Sequence, residues 1–99
     1  MKTEGRRLYI YEVFKKGLEK DEFYCYTIYD SSIHLPISYP KGETQRAARK
    51  KCEQIIDIST LTDEVPPIVI WRNWPIVLKA EEMTTQNLIK VIENREITK

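Results

Sequence analysis

Two segments near the N-terminus constrain the fold more than anything else in the chain. Residues 7–14, RLYIYEVF, alternate Leu8, Ile10 and Phe14 against Tyr9, Tyr11 and Val13. Residues 22–30, EFYCYTIYD, alternate Phe23, Cys25 and Tyr29 against Tyr24, Tyr26 and Ile28. A period of two in β-branched and aromatic residues predicts strands, and the charged, glycine-containing KKGLEKD between them predicts an antiparallel hairpin. Such a hairpin usually turns one face to the core and the other to water. Here both faces carry large side chains, so both need covering.

The rest of the chain has little with which to cover them. Its 99 residues make a single domain spanning 1–99, and a chain of that size buries only about 65% of its unfolded surface. Residues 31–42, SSIHLPISYPKG, contain two prolines and a glycine and read as an irregular loop. A helix opens at Glu43 or Thr44 and runs to Ile56, with Ala48, Cys52, Ile55 and Ile56 on one side. Residues 59–67 break the pattern. IVIW (68–71) and PIVLK (75–79) then read as short strands of a second hairpin around RNWP. TTQNLIKVIENR closes the chain as a helix with a threonine cap and Leu88, Val91 and Ile92 inward. The fold class expected is α+β in the order ββαββα, an antiparallel or mixed four-stranded sheet with two helices.

Two modest helices are expected to cover one side of that sheet. The other side then calls for a second chain, which predicts a homodimer built through the N-terminal strands, with a tyrosine-rich exposed face on a monomer as the alternative. Its interface would use Tyr9, Tyr11, Tyr24 and Tyr26, because tyrosine tolerates partial exposure. Trp71 and Trp74 bracket Arg72 and form a second candidate contact surface, Trp and Arg being favoured anchors. Alternation within a hairpin would equally place one of the two tryptophans in the core.

Net charge is +1, which excludes a global field drawing the chain to polyanions. The charge is nevertheless blocked: residues 1–20 carry +3, 21–40 carry −3, 41–51 carry +4 and 52–67 carry −4. Blocks of opposite sign neutralise each other across a fold or between subunits. Arg46, Arg49, Lys50 and Lys51 sit on the outer face of the first helix and make nucleic-acid binding the alternative function. Glu53, four residues after Arg49, supplies an ordinary intrahelical partner, and a solvated face explains the same residues.

No catalytic constellation, metal site or cofactor motif is expected. His34 is the only histidine, and with two distant cysteines it cannot complete a four-ligand zinc site. Asp30, Ser31, Ser32 and His34 lie within one short stretch, but a capped turn before a proline-rich loop accounts for them without a nucleophile elbow. Cys25 and Cys52 lack CxxC spacing and are expected as reduced, buried thiols. No apolar run approaches 18 residues and no signal-peptide pattern is present, so an intracellular protein without a membrane segment is expected.

Isoleucine occurs 13 times against three alanines, and 31% of residues are charged, the direction in which hyperthermophilic sequences lean. With this composition, including KVIENREITK at its end, the chain resembles small orphan proteins of filamentous viruses that infect hyperthermophilic archaea. That resemblance implies an accessory protein acting in the host cytoplasm. Residues 60–95, from TLTDEVPPIVIWRNWPIVLK onward, are similar to the C-terminal part of glutaredoxin and thioredoxin-like proteins. There a Val-Pro dipeptide with a cis proline, here Pro66, precedes a strand, a return and a closing helix. The family's CxxC is missing, so the resemblance implies fold rather than disulfide exchange.

Overall fold

The computed structural model describes residues 6–61 and 65–97 of the chain. The fold is α+β with a mixed five-stranded sheet and two helices. The elements are β1 (Arg7–Lys15), β2 (Glu22–Asp30), β3 (Leu35–Ser38), α1 (Gln45–Leu61), β4 (Ile68–Trp71), β5 (Ile76–Leu78) and α2 (Thr85–Glu96), with a single 3-10 turn at Ala80–Glu82 before α2.

β1 and β2 form the expected antiparallel hairpin, pairing Leu8 with Asp30 and Val13 with Cys25. The register slips between Val13 and Phe14, where Phe14 comes opposite Phe23 and Tyr24 is passed over. A bulge of this kind reverses the side-chain alternation beyond it. Phe23 therefore packs with Tyr26 on the α1 side instead of sharing a face with Cys25, and Tyr24 turns toward solvent.

Two expectations are corrected. The segment read as an irregular loop contains β3, which pairs antiparallel with β2 through Tyr29–Pro36 and Asp30–Leu35. Its proline is tolerated because β3 is an edge strand. The second hairpin does not form. β4 and β5 lie in line along the other edge of β1, both parallel to it, with Arg7 opposite Ile68 and Phe14 opposite Val77. A parallel neighbour needs a long crossover, and α1 supplies it between β3 and β4. The strand order is β3-β2-β1 followed by the β4/β5 edge, and all strands but β2 run in one direction.

The helices lie on opposite faces of this sheet. Ala48, Cys52 and Ile56 of α1 pack on Leu8, Ile10, Tyr26 and Ile28. Leu88 and Ile92 of α2 pack on Tyr9, Tyr11, Val13, Cys25, Tyr29 and Ile76. The doubly apolar hairpin is thus the middle of three layers. Each leucine, isoleucine or valine so buried contributes about 1.5–3 kcal/mol. Helix caps match their sequence signals: Thr84 accepts from the amide of Asn87 (3.2 Å) and Thr44 from that of Ala47 (3.1 Å). α1 continues through Leu61, beyond the expected end at Ile56.

Candidate protein-contact site

The β4/β5 edge is where the fold is least covered. Among the described residues no strand pairs with its outer side. The amides of Ile68 and Arg72 donate inward, to the carbonyls of Arg6 (3.1 Å) and Ile10 (2.9 Å). The alternation of a strand therefore turns the backbone groups of Val69 and Trp71 outward. Between β4 and β5 the ladder is interrupted at residues 73–75, where Pro75 has no N–H to give.

α2 organises this break. Glu96 accepts a hydrogen bond from the Tyr11 hydroxyl and a bidentate pair from Arg72, Nε at 2.7 Å and Nη2 at 2.6 Å. One helical turn earlier Glu93 accepts from the Tyr29 hydroxyl at 2.6 Å. The carboxylates at i and i+3 on α2 meet two tyrosines on one face of adjacent strands. Arg95 points to the interrupted edge, donating to the carbonyls of Trp74 (2.5 Å) and Pro75 (3.2 Å). Its guanidinium lies 4.0 Å from the centre of the Trp74 ring, which is 61% exposed. Two adjoining grooves result: Trp74, Val91, Asn94 and Arg95 line one, and Tyr11, Arg72, Asn73 and Glu96 join Trp74 and Arg95 in the other.

These contacts shift protonation. Removal from water, then the hydrogen bond to Glu96, pushes the Tyr11 phenol up to about 12. Burial, followed by Glu93, raises Tyr29 as well. Burial alone dominates at the thiols, pushing Cys25 up to about 11 and Cys52 to about 12. Groups whose folded values are raised keep their protons while the unfolded chain loses them. Stability is then intact below pH 9 to 10 and lost as pH rises toward 12. We expect a thermal midpoint level from neutral pH to about 9 and falling steeply above 10. We also expect the phenols of Tyr11 and Tyr29 to ionise only as circular dichroism reports unfolding. Ionisation of either phenol in a still-folded chain would disprove it.

The other expected site residues are distributed as follows. Tyr9, Tyr11 and Tyr26 are buried inside their own chain, because α2 and α1 cover the faces assigned to a dimer contact. Of those tyrosines only Tyr24 reaches solvent, with the Lys41 ammonium 4.5 Å from its ring centre. Trp71 is half-buried on the α1 side, edge-on to Tyr26, while Trp74 is exposed. Arg46, Lys50 and Lys51 lie exposed on α1. Arg49 is engaged, stacking 4.3 Å from the Trp71 ring and pairing with Glu53 at 3.3 Å.

Arg95 and Glu96 were not singled out from the sequence. Their signal is the ENRE ending of α2, legible only once the strand register places Tyr11 and Tyr29 beneath it. No family model, curated protein or solved structure matches this chain.

Cys25 and Cys52 are free thiols in the two cores, with the sheet between them, and no disulfide joins such positions without unfolding. Every peptide bond in the described residues is trans, that before Pro66 included. Among those residues no group of three His, Cys, Asp or Glu could hold a metal, and no helix is long and apolar enough to cross a membrane.

Proposed function

We propose that this chain is a non-enzymatic accessory protein that works through protein–protein contacts, as a homodimer with a further partner docked at the β4/β5 edge. The observation that carries the docking surface is Trp74: a large exposed aromatic, held in place by Arg95, beside outward-facing backbone groups on an open edge. Trp, Tyr and Arg are the residues on which binding energy concentrates. A ring already clamped loses little freedom on binding, and an extended segment of a partner could add to β4 as a further strand. The viral resemblance makes the cytoplasm of an infected archaeal host the setting we propose.

The test is affinity capture from host extract with wild-type, Trp74→Ala and Tyr24→Ala chains as bait. Trp74 is exposed and its main packing contact is the Arg95 stack, so its loss should leave the fold intact at a cost of about 1 kcal/mol. A protein retained by wild type and Tyr24→Ala but lost with Trp74→Ala is the expected result. Identical retention by all three removes the edge from the proposal.

A second reading, nucleic-acid binding through Arg46, Lys50 and Lys51, draws on their exposure and on the lack of an acid in the first turn of α1. Salt-dependent retention of duplex DNA or RNA, abolished by Arg46→Glu with Lys50→Glu, would favour it. A thioredoxin-like redox role draws no support from two separated thiols whose ionisation burial suppresses.

A further inference from the structure

The charges on α1 run against its own dipole. A helix is stabilised by acids near its N-terminus and cations near its C-terminus. α1 has no acid in its first turn and no base in its last. Instead Arg46, Arg49, Lys50 and Lys51 occupy its N-terminal half and Glu53 and Asp57 its C-terminal half. Among the described residues no acid pairs with Arg46, Lys50 or Lys51. For the isolated helix this order costs stability.

The same helix also carries apolar side chains where water should be. Its inner line is Ala48, Cys52 and Ile56. At 100° per residue the opposite line runs through Ala47, Lys50, Gln54, Ile58 and Leu61. Ile58 is 67% exposed and Leu61 80%. These are the largest apolar groups on the outer face, and they cluster at the acidic end. Among the described residues no other element covers them.

We infer that the outer face of α1 packs antiparallel on α1 of a second copy of this chain. Turned about a two-fold axis at Gln54, the face is complementary to itself. Lys50 of one copy meets Asp57 of the other, Ala47 leaves room for Leu61, and the stem of Lys51 lies along Ile58. Each N-terminal half then faces the acids of its partner, and the charge order that opposes the helix dipole is satisfied between subunits. An isologous contact of this kind closes at two copies, and antiparallel neighbours crossing near 20° are an ordinary packing class. α1 has 17 residues and is about 26 Å long, so the seam is modest and its charged pairs make it salt-sensitive. The inference rests on the homodimer reading and moves its interface from the sheet to the helix.

The experiment is solution mass by light scattering over a dilution series at low and high salt. It compares wild type, Lys50→Glu/Lys51→Glu, and Glu53→Lys/Asp57→Lys. All four positions are exposed, and the first variant places acids nearer the helix N-terminus, so helix content should not fall. We expect wild type to be a dimer that weakens with salt. Each variant alone should dimerise roughly a hundredfold more weakly, because attractive pairs become repulsive on both sides of the two-fold. An equimolar mixture of the two variants should recover the dimer mass, since one now presents an acidic helix and the other a basic one.

A wild type that stays monomeric overturns both the seam and the homodimer. Variants that remain dimeric by themselves overturn the seam and leave the homodimer standing. A mixture that fails to recover, or Lys50→Glu/Lys51→Glu losing duplex DNA with its mass unchanged, also overturns the seam.

Discussion

Glu96→Ala should be the most damaging single change outside the apolar cores, costing about 3 kcal/mol of a total near 5–15 kcal/mol for a domain of this size. The Glu96 side chain is only 6% exposed and accepts from Tyr11 and from both arms of Arg72. Removing it leaves a buried phenol without that acceptor and a guanidinium facing a tyrosine-lined wall. The loss falls at the low end of the range for breaking a buried ion pair because water can reach the outer side of Arg72. Arg49→Ala is the control. Its pair with Glu53 is half-exposed on both sides and its stack on Trp71 is open to water on one side, so together they contribute about 1 kcal/mol. Urea unfolding of the two variants decides the matter. A Glu96→Ala midpoint close to that of Arg49→Ala would mean that apolar contacts alone hold α2. The result bears on function, because Arg72 and Arg95 fix the loop that presents Trp74. A loosened α2 end should weaken partner retention through the Trp74 loop.

What could be read from the sequence follows from which forces are local. β1, β2 and both helices declare themselves through side-chain period, and Thr84 through cap chemistry. The doubly apolar hairpin correctly signalled that both faces need cover. The sequence left open what the cover was, because α1 and α2 have similar inward stripes and nothing local assigns them to different faces. β4 and β5 resemble a hairpin in spacing, and only their shared pairing with β1 shows otherwise. That pairing depends on the α1 crossover, a tertiary fact. β3 was hidden by Pro36, which is a breaker in a central strand but not at an edge. At the contact site Trp74 and Arg72 were visible, while Arg95 and Glu96 looked like any charged helix end. Their role depends on a register between elements 85 residues apart, Tyr11 to Glu96.

The three-layer arrangement makes a prediction that the expected two-layer dimer does not. Ile92→Ala should cost about 2–4 kcal/mol, because Ile92 is fully buried between α2 and the face bearing Tyr9, Tyr11 and Tyr29. The measurement belongs in the Lys50→Glu/Lys51→Glu background, where the α1 seam is broken and the chain is expected to be monomeric. If α2 covers that face within one chain, the loss appears in full and the unfolding midpoint does not move with protein concentration. If the face is instead closed by a second copy, the background protein still dimerises and its midpoint rises with concentration by mass action. Ile56→Ala, the matching truncation on the α1 face, should cost a similar amount, since Ile56 is only 7% exposed in the other core. Comparable losses on both faces in a monomer mean that the tyrosine-rich sheet is already satisfied, which leaves α1 and the β4/β5 edge as the surfaces through which this chain meets others.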